Sequence, residues 1–161
     1  MTLICLQIAD FSSRMSFMAS NGQIQASAGQ SVPAVILVVE DDWLLRQAMA
    51  SEMRHAGWHV LEASTGEAAL SLPEKVGQID LVVTDIRLAG EMTGWDVAQG
   101  FRARFSDLPV VYVSGNTADS SRMVSRSTFL GKPCAPADLM RACRRALDSA
   151  HAATSPLSRA D

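Results

Sequence analysis

Four short stretches of this sequence end an apolar run in side chains that can do chemistry. Val35-Ile36-Leu37-Val38-Val39 leads at once into Glu40-Asp41-Asp42, and Leu81-Val82-Val83 leads through Thr84 to Asp85. Pro109-Val110-Val111-Tyr112-Val113 leads to Ser114-Gly115, and Thr128-Phe129-Leu130 leads to Lys132-Pro133. Several carboxylates brought together repel, by on the order of a kcal/mol each, unless a cation neutralises them. Hard oxygen ligands of this kind select Mg²⁺ or a similar ion, which keeps waters and binds phosphate oxygens. A hydroxyl and an ammonium beside a metal-loaded carboxylate make a clamp for a phosphoryl group. Each residue alone has an ordinary explanation: Asp42 as a helix cap, Asp85 as a solvated loop acid, Ser114 as a turn residue, Lys132 as a surface charge. A cap, however, does not require three acids with a fourth facing them from another strand.

An alternation of strands and helices is needed to bring these stretches to one place. Short, β-branched apolar runs predict strands at 35–39, 58–63, 81–83, 109–113 and 128–130. Between the first two, Leu45, Ala48, Met49, Met53 and Ala56 form a helical stripe closed by Gly57. Thr65 opens a second helix with Ala68, Ala69 and Leu72 inward, stopped by Pro73. A third runs from Trp95 to Phe105, with Val97, Ala98 and Phe101 at helical spacing. The segment 116–126 is polar, and only Met123 and Val124 support a helix there. Leu139, Met140, Cys143, Ala146 and Leu147 make the last amphipathic helix. Five strands alternating with five helices, joined by right-handed crossovers, give an α/β fold: a doubly wound parallel sheet with helices on both faces. A chain of this size fits the flavodoxin-like strand order 2-1-3-4-5, in which strands one and three are neighbours at the switch point. In that order the acids after strand one must meet Asp85 after strand three.

Composition narrows the function. The chain has 161 residues, enough for one domain and short for two. Its formal net charge of −3 offers no basic field for nucleic acid or an anionic membrane. Cys5, Cys134 and Cys143 show no metal-binding spacing, and His55, His59 and His151 are scattered. No apolar run approaches the roughly 20 residues needed to cross a bilayer, and no basic residue precedes the apolar start to make a secretory signal. A cytoplasmic protein with reduced thiols is expected. Residues 1–32, rich in Ser, Gly and Gln without a sustained period, read as a disordered arm, 33–150 as the domain, and 151–161 as a flexible tail.

With these motifs together, the sequence from about residue 34 to 150 resembles the receiver domain of two-component response regulators, of the stand-alone type. The resemblance rests on Val38-Val39-Glu40-Asp41-Asp42, Val83-Thr84-Asp85, Val113-Ser114-Gly115 and Phe129-Leu130-Gly131-Lys132-Pro133. It implies that Asp85 accepts a phosphoryl group from a phosphohistidine of a sensor histidine kinase or a histidine phosphotransferase. It further implies that Glu40, Asp41, Asp85 and the backbone carbonyl of Arg87 hold Mg²⁺, and that Ser114 and Lys132 contact the phosphoryl oxygens. Phe129 matches the family's switch aromatic, and a cis Lys132-Pro133 bond is implied as well. Such a protein is a signalling phosphoacceptor that catalyses its own phosphotransfer and dephosphorylation, rather than an enzyme with a separate substrate. The sequence departs from the pattern in two places. Only 18 residue steps separate Ser114 from Lys132, which suggests a reduced fourth helix, and Cys134 stands where a phenylalanine often follows the Lys-Pro pair. About ten residues follow the last helix, so no DNA-binding output domain is expected, and signalling would pass to a protein partner.

Rival readings fare less well. A flavodoxin-type cofactor domain needs a Ser/Thr/Gly-rich phosphate loop where the anionic Glu40-Asp41-Asp42 run stands. A haloacid-dehalogenase-type phosphatase needs a second acid two residues after its nucleophile, where this chain has Arg87. The serious alternative is a degenerate receiver acting as a phosphorylation-independent binding module.

Overall fold

The computed structural model describes residues 32–73, 77–115 and 119–154. The arm expected over 1–32 falls outside them except for Val32, and so does the tail beyond Thr154. Strands β1 (Val35–Val39), β2 (His59–Ala63), β3 (Leu81–Thr84), β4 (Val110–Ser114) and β5 (Ser127–Gly131) form one sheet in the order β2-β1-β3-β4-β5. Every pairing is parallel, as the alternation of elements expects. The helices are α1 (Trp43–His55), α2 (Gly66–Ser71), α3 (Gly94–Arg104) and α4 (Pro136–Thr154).

Period-two alternation along each strand builds two cores. Leu37, Val39, Val82, Val110 and Tyr112 face α2 and α3, where they meet Ala69, Trp95 and Phe101. Ile36, Val38, Leu81, Val83, Val111 and Val113 face α1 and α4, where they meet Met49, Met53, Leu139 and Leu147. β3, at the centre, is buried along its whole length. Full burial of each such side chain contributes about 1.5–3 kcal/mol, so this double core holds the strand ends still.

Helix starts are set by capping. The Asp42 carboxylate accepts the Leu44 and Leu45 amides at 2.9 and 3.1 Å, so this acid is used as a cap. Thr93 and Asp96 form a capping box at the start of α3.

Three details differ from the sequence reading. In α2 the inward residues are Gly66 and Ala69, while Ala68 is exposed. Leu70 packs against Gly100 of α3 so closely that a Cβ there would lie 2.9 Å from its Cδ2. Ala69 and Leu72 are inward as expected; only Ala68 turns outward, while Leu70 takes the side that meets α3. Between β4 and β5 the described residues 119–126 carry turns and no helix, so the expected fifth alternation fails there. Asp119 closes a local turn by accepting the Ser121 amide at 3.0 Å, which competes with helix. Finally, α4 runs to Thr154, past the expected boundary at 150. Among the described residues, no helix is long and apolar enough to cross a membrane.

Candidate functional site

The carboxyl ends of β1, β3, β4 and β5 share one edge of the sheet, and the backbone ladder continues past them. The Glu40 amide donates to the Ala63 carbonyl at 3.1 Å, and the Asp85 amide to the Val39 carbonyl at 2.9 Å. The Lys132 amide donates to the Ser114 carbonyl at 2.8 Å. These bonds fix the backbone from which the side chains project inward. The Lys132 ammonium donates to Asp85 Oδ2 at 2.6 Å and to Glu40 Oε2 at 2.7 Å. Glu40 is 2% exposed, Asp85 9% and Ser114 1%, so this is a buried carboxylate pair bridged by a cation.

Burial and bonding pull the charges in different directions. Burial alone would raise the Asp85 carboxyl, but hydrogen bonds from Lys132, Ser114 and the Arg87 amide outweigh it and hold it below its ordinary value. Burial dominates at Glu40 and pushes that carboxyl up, against the lowering effect of Lys132. Burial would lower Lys132, yet Asp85 and Glu40 together raise it. Asp85 is thus kept ionised, with a charged amine against one oxygen and a backbone donor against the other. That backbone donor is the Arg87 amide, 3.1 Å from Oδ1.

The acid run after β1 splits by role. Glu40 turns inward, with Oε1 accepting the Asp42 amide at 3.4 Å, and Asp42 caps α1. Asp41 is exposed, and among the described residues its carboxylate has no protein partner. No group of three or more acids, histidines or cysteines among the described residues stands together as a ready-made metal cage. Arg87 is exposed at the start of the loop after β3. Phe129 is half-buried against the core that contains Tyr112. The Lys132-Pro133 bond is cis.

Some residues that shape the site were not singled out by the sequence reading. Gly94, the first residue of α3, is one of them: a Cβ there would lie 1.9 Å from the Asp85 carbonyl oxygen. The loop after β3 folds back onto the strand end, and the Gly94 amide donates to the Ile86 carbonyl at 2.8 Å. The capping-box pattern Thr93…Asp96 is the signal that could have placed Gly94 at this tight approach. Arg46 of α1 donates to the Glu40 carbonyl at 2.6 Å, a contact with no signature in sequence spacing. Beside Lys132, a cavity of about 680 Å³ opens between α1 and the start of α4, lined mainly by apolar residues such as Leu45, Ala48, Met49, Pro133 and Leu139. Trp43 and Leu44 are exposed on the same helix, next to the acid edge.

Known proteins share this arrangement. The family model described as response regulator receiver domain matches residues 36–144. A response regulator receiver protein from Sinorhizobium medicae WSM419 superposes with a TM-score of 0.70 at 33% identity, covering 73% of this chain and 97% of that one. The receiver domain of the hybrid histidine kinase CckA gives a TM-score of 0.62 at 32% identity, covering 71% and 99%. Sensory transduction protein RegX3 of Mycobacterium tuberculosis is 30% identical over 116 residues, 70% of this chain and 50% of its own length. The chain spans half or less of the curated relatives it matches first, from 11% to 50% of their length. Since the family match covers more than half of the sequence and the fold and strand-end residues agree with it, the chain belongs to the response regulator receiver domain family.

Proposed function

We propose that Asp85 accepts a phosphoryl group from the phosphohistidine of a sensor histidine kinase or histidine phosphotransferase, in a Mg²⁺-dependent reaction in the cytoplasm. The observation that carries this reading is the Lys132 ammonium shared between two buried carboxylates, one of them held ionised. An ionised carboxylate is the nucleophile that phosphoryl transfer to an acid needs. An Asp85 oxygen bonds to phosphorus as the phosphorus–nitrogen bond breaks, and the electron pair of that bond stays on the imidazole, which takes up a proton. Lys132 neutralises charge on the transferred group, and the Ser114 hydroxyl turns from the carboxylate to a phosphoryl oxygen.

The residues present fit the metal. Glu40, Asp41, Asp85 and the Arg87 carbonyl are hard oxygen donors, the Asp41 carboxylate is unengaged among the described residues, and Mg²⁺ binds through a few carboxylates and waters rather than a full protein cage. When bound, it supplies divalent charge that offsets the phosphoryl oxygens. Hydrolysis of the acyl phosphate at the same site resets the protein. Output passes to another protein through the face of β4, β5 and α4, where Arg141, Arg144 and Arg145 are exposed and Phe129 repacks. The apolar Trp43, Leu44 and the neighbouring cavity offer the phosphodonor a place to rest beside the acid edge.

Intact mass after incubation with acetyl phosphate and Mg²⁺ tests the reading. Wild type gains one phosphoryl group, and Asp85→Asn gains none. An Asp85→Asn protein labelled at the wild-type rate would remove Asp85 as acceptor. A wild type that gains nothing, yet still captures its partner, would favour the binding-module alternative.

A further inference from the structure

The acid edge is braced from behind by a network that none of the roles above uses. Arg46, in the first turns of α1, points back toward the end of β1. Its Nη1 donates to the Glu40 carbonyl at 2.6 Å and lies 3.4 Å from the Asp41 carbonyl. Its Nε is 3.5 Å from Glu62 Oε2 on β2, and the Arg46 side chain is only 13% exposed. Glu62 is a hub: Oε2 also accepts from Gln47 at 2.6 Å, and Oε1 from Arg54 at 2.7 Å. The guanidinium is thus fixed on both sides, by a carboxylate behind it and by two main-chain carbonyls in front.

Those two carbonyls belong to the residues whose side chains face the site. A peptide unit is planar, so holding the Glu40 carbonyl sets the plane that carries the Asp41 amide. Holding the Asp41 carbonyl sets the next plane, and together they set the direction of the Asp41 Cα–Cβ bond. Asp41 needs such control from the backbone, because its exposed carboxylate has no partner of its own among the described residues. Arg46 also brings positive charge behind a cation site, which by itself would repel Mg²⁺. Glu62 supplies the compensating negative charge.

We propose that Arg46 is a positioning residue for the Asp41 carboxylate, with Glu62 as its counter-charge, and that the pair sets the affinity of the acid edge for Mg²⁺. This rests on the reading of that edge as a Mg²⁺ site. Residues that orient metal ligands from behind typically change metal affinity by about 10–100-fold when removed.

The test is calorimetric titration of the full-length chain with Mg²⁺ alone, in wild type, Arg46→Ala, Arg46→Lys and Glu62→Gln. Near-ultraviolet circular dichroism of the metal-free proteins checks that each is folded. Arg46→Ala should bind Mg²⁺ roughly tenfold more weakly. Arg46→Lys, which can still donate to one carbonyl, should recover part of that loss, which a general loss of folding would not show. Glu62→Gln should weaken binding through the uncompensated guanidinium, and added salt should narrow its gap from wild type. Unchanged affinity in Arg46→Ala would overturn the proposal. Tighter binding would overturn it too, by showing that Arg46 acts only as a repelling charge. If Arg46→Ala does not fold, the same two outcomes read from Arg46→Lys and Glu62→Gln decide the matter. A wild type that binds no Mg²⁺ would instead bring down the metal reading itself, and this proposal with it.

Discussion

The two flanks of the sheet edge are held by different means. On the β1–β2 flank, side chains of two regular elements tie to one another, with Glu62 of β2 collecting Arg46, Gln47 and Arg54 of α1. On the β4–β5 flank the described residues 119–126 carry no helix; Met123 and Val124 pack on the core, and Arg102 of α3 ties the Ser125 carbonyl to the loop before β4. Its Nη2 donates to the Leu108 carbonyl at 2.7 Å and the Ser125 carbonyl at 2.5 Å, and its Nη1 to the Phe105 and Ser106 carbonyls. Arg122 adds a looser hold, 5.8 Å over the Trp95 ring and 3.8 Å from Asp96. One flank is redundant, since several donors share one carboxylate. The other gathers carbonyls of two loops on one donor, with Ser127 Oγ adding a bond to the Val124 carbonyl at 2.7 Å. Segments with few buried apolar contacts open at the lowest free energy, so motion concentrates on the second flank. Ser114 and Lys132, the side chains proposed to follow the phosphoryl group, both stand there.

Lys132, just past β5, reaches across to Glu40, so removing it breaks the comparison most severely. Glu40 and Asp85 would then face each other with no cation between them, and the developing phosphoryl charge would lose its amine. Lys132→Ala should slow labelling by acetyl phosphate roughly 10²–10³-fold, as loss of a preorganised charge at a transition state does. Time-resolved intact mass measures it. A rate equal to wild type would show that the bridge between the flanks is idle in the chemistry.

A smaller effect separates the flanks by stability. Arg102→Ala strands several backbone carbonyls that a charged donor had satisfied. Such bonds are worth about 1.5–3 kcal/mol each, but partial hydration of the freed carbonyls should limit the total to about 2–3 kcal/mol. Arg54→Ala removes an exposed partner from a carboxylate that keeps two others, and should cost at most about 1 kcal/mol. Urea unfolding of both variants reads the difference. Equal losses would erase the distinction between donors sharing one carboxylate and carbonyls sharing one donor.

The strands and their order are legible in the sequence because they rest on local pattern. Val35–Val39 and Leu81–Thr84 are apolar on both faces, and only a central parallel strand buries both. Once strand order follows, Glu40, Asp85, Ser114 and Lys132 meet by topology alone, although Lys132 and Glu40 are 92 residues apart. The braces are not legible, since Arg46, Glu62 and Arg102 act on backbone carbonyls or on each other across elements, and any surface arginine has the same appearance in sequence. The outward turn of Ala68 in α2 is not legible for a related reason. Ala68 and Leu70 are both plausible inward residues of a short helix, and only the close approach of Gly100 decides between them. The weak helical signal around Met123 and Val124 matches the described residues 119–126, which carry turns while those two side chains pack on the core.

The smallest expected effect is the response of the bridged acids to pH. Asp85 is held below its ordinary value of 3.8, because hydrogen bonds from Lys132, Ser114 and the Arg87 amide outweigh burial. Its contribution to stability is therefore present above pH 3.8 and is lost as pH falls through the lower folded value. Lys132 is raised above 10.5, so its contribution is present below that pH and is lost as pH rises through the higher folded value. Glu40 has the opposite sign to Asp85. Burial raises it above 4.5, so its ionisation opposes folding above that pH, and acid relieves the penalty as pH falls through the raised value. The two carboxylates thus pull stability in opposite directions on acidification, and the net slope near this range should be shallow. Carboxyl-carbon NMR titration separates what an unfolding curve would blur: the Asp85 midpoint should lie below 3.8 and the Glu40 midpoint above 4.5. In Lys132→Met both midpoints should move up, since burial would then act with less opposition on each. An Asp85 midpoint that stays in place would show that Ser114 and the Arg87 amide hold the charge without the amine, and that the β4–β5 flank does not reach across to the acids electrostatically.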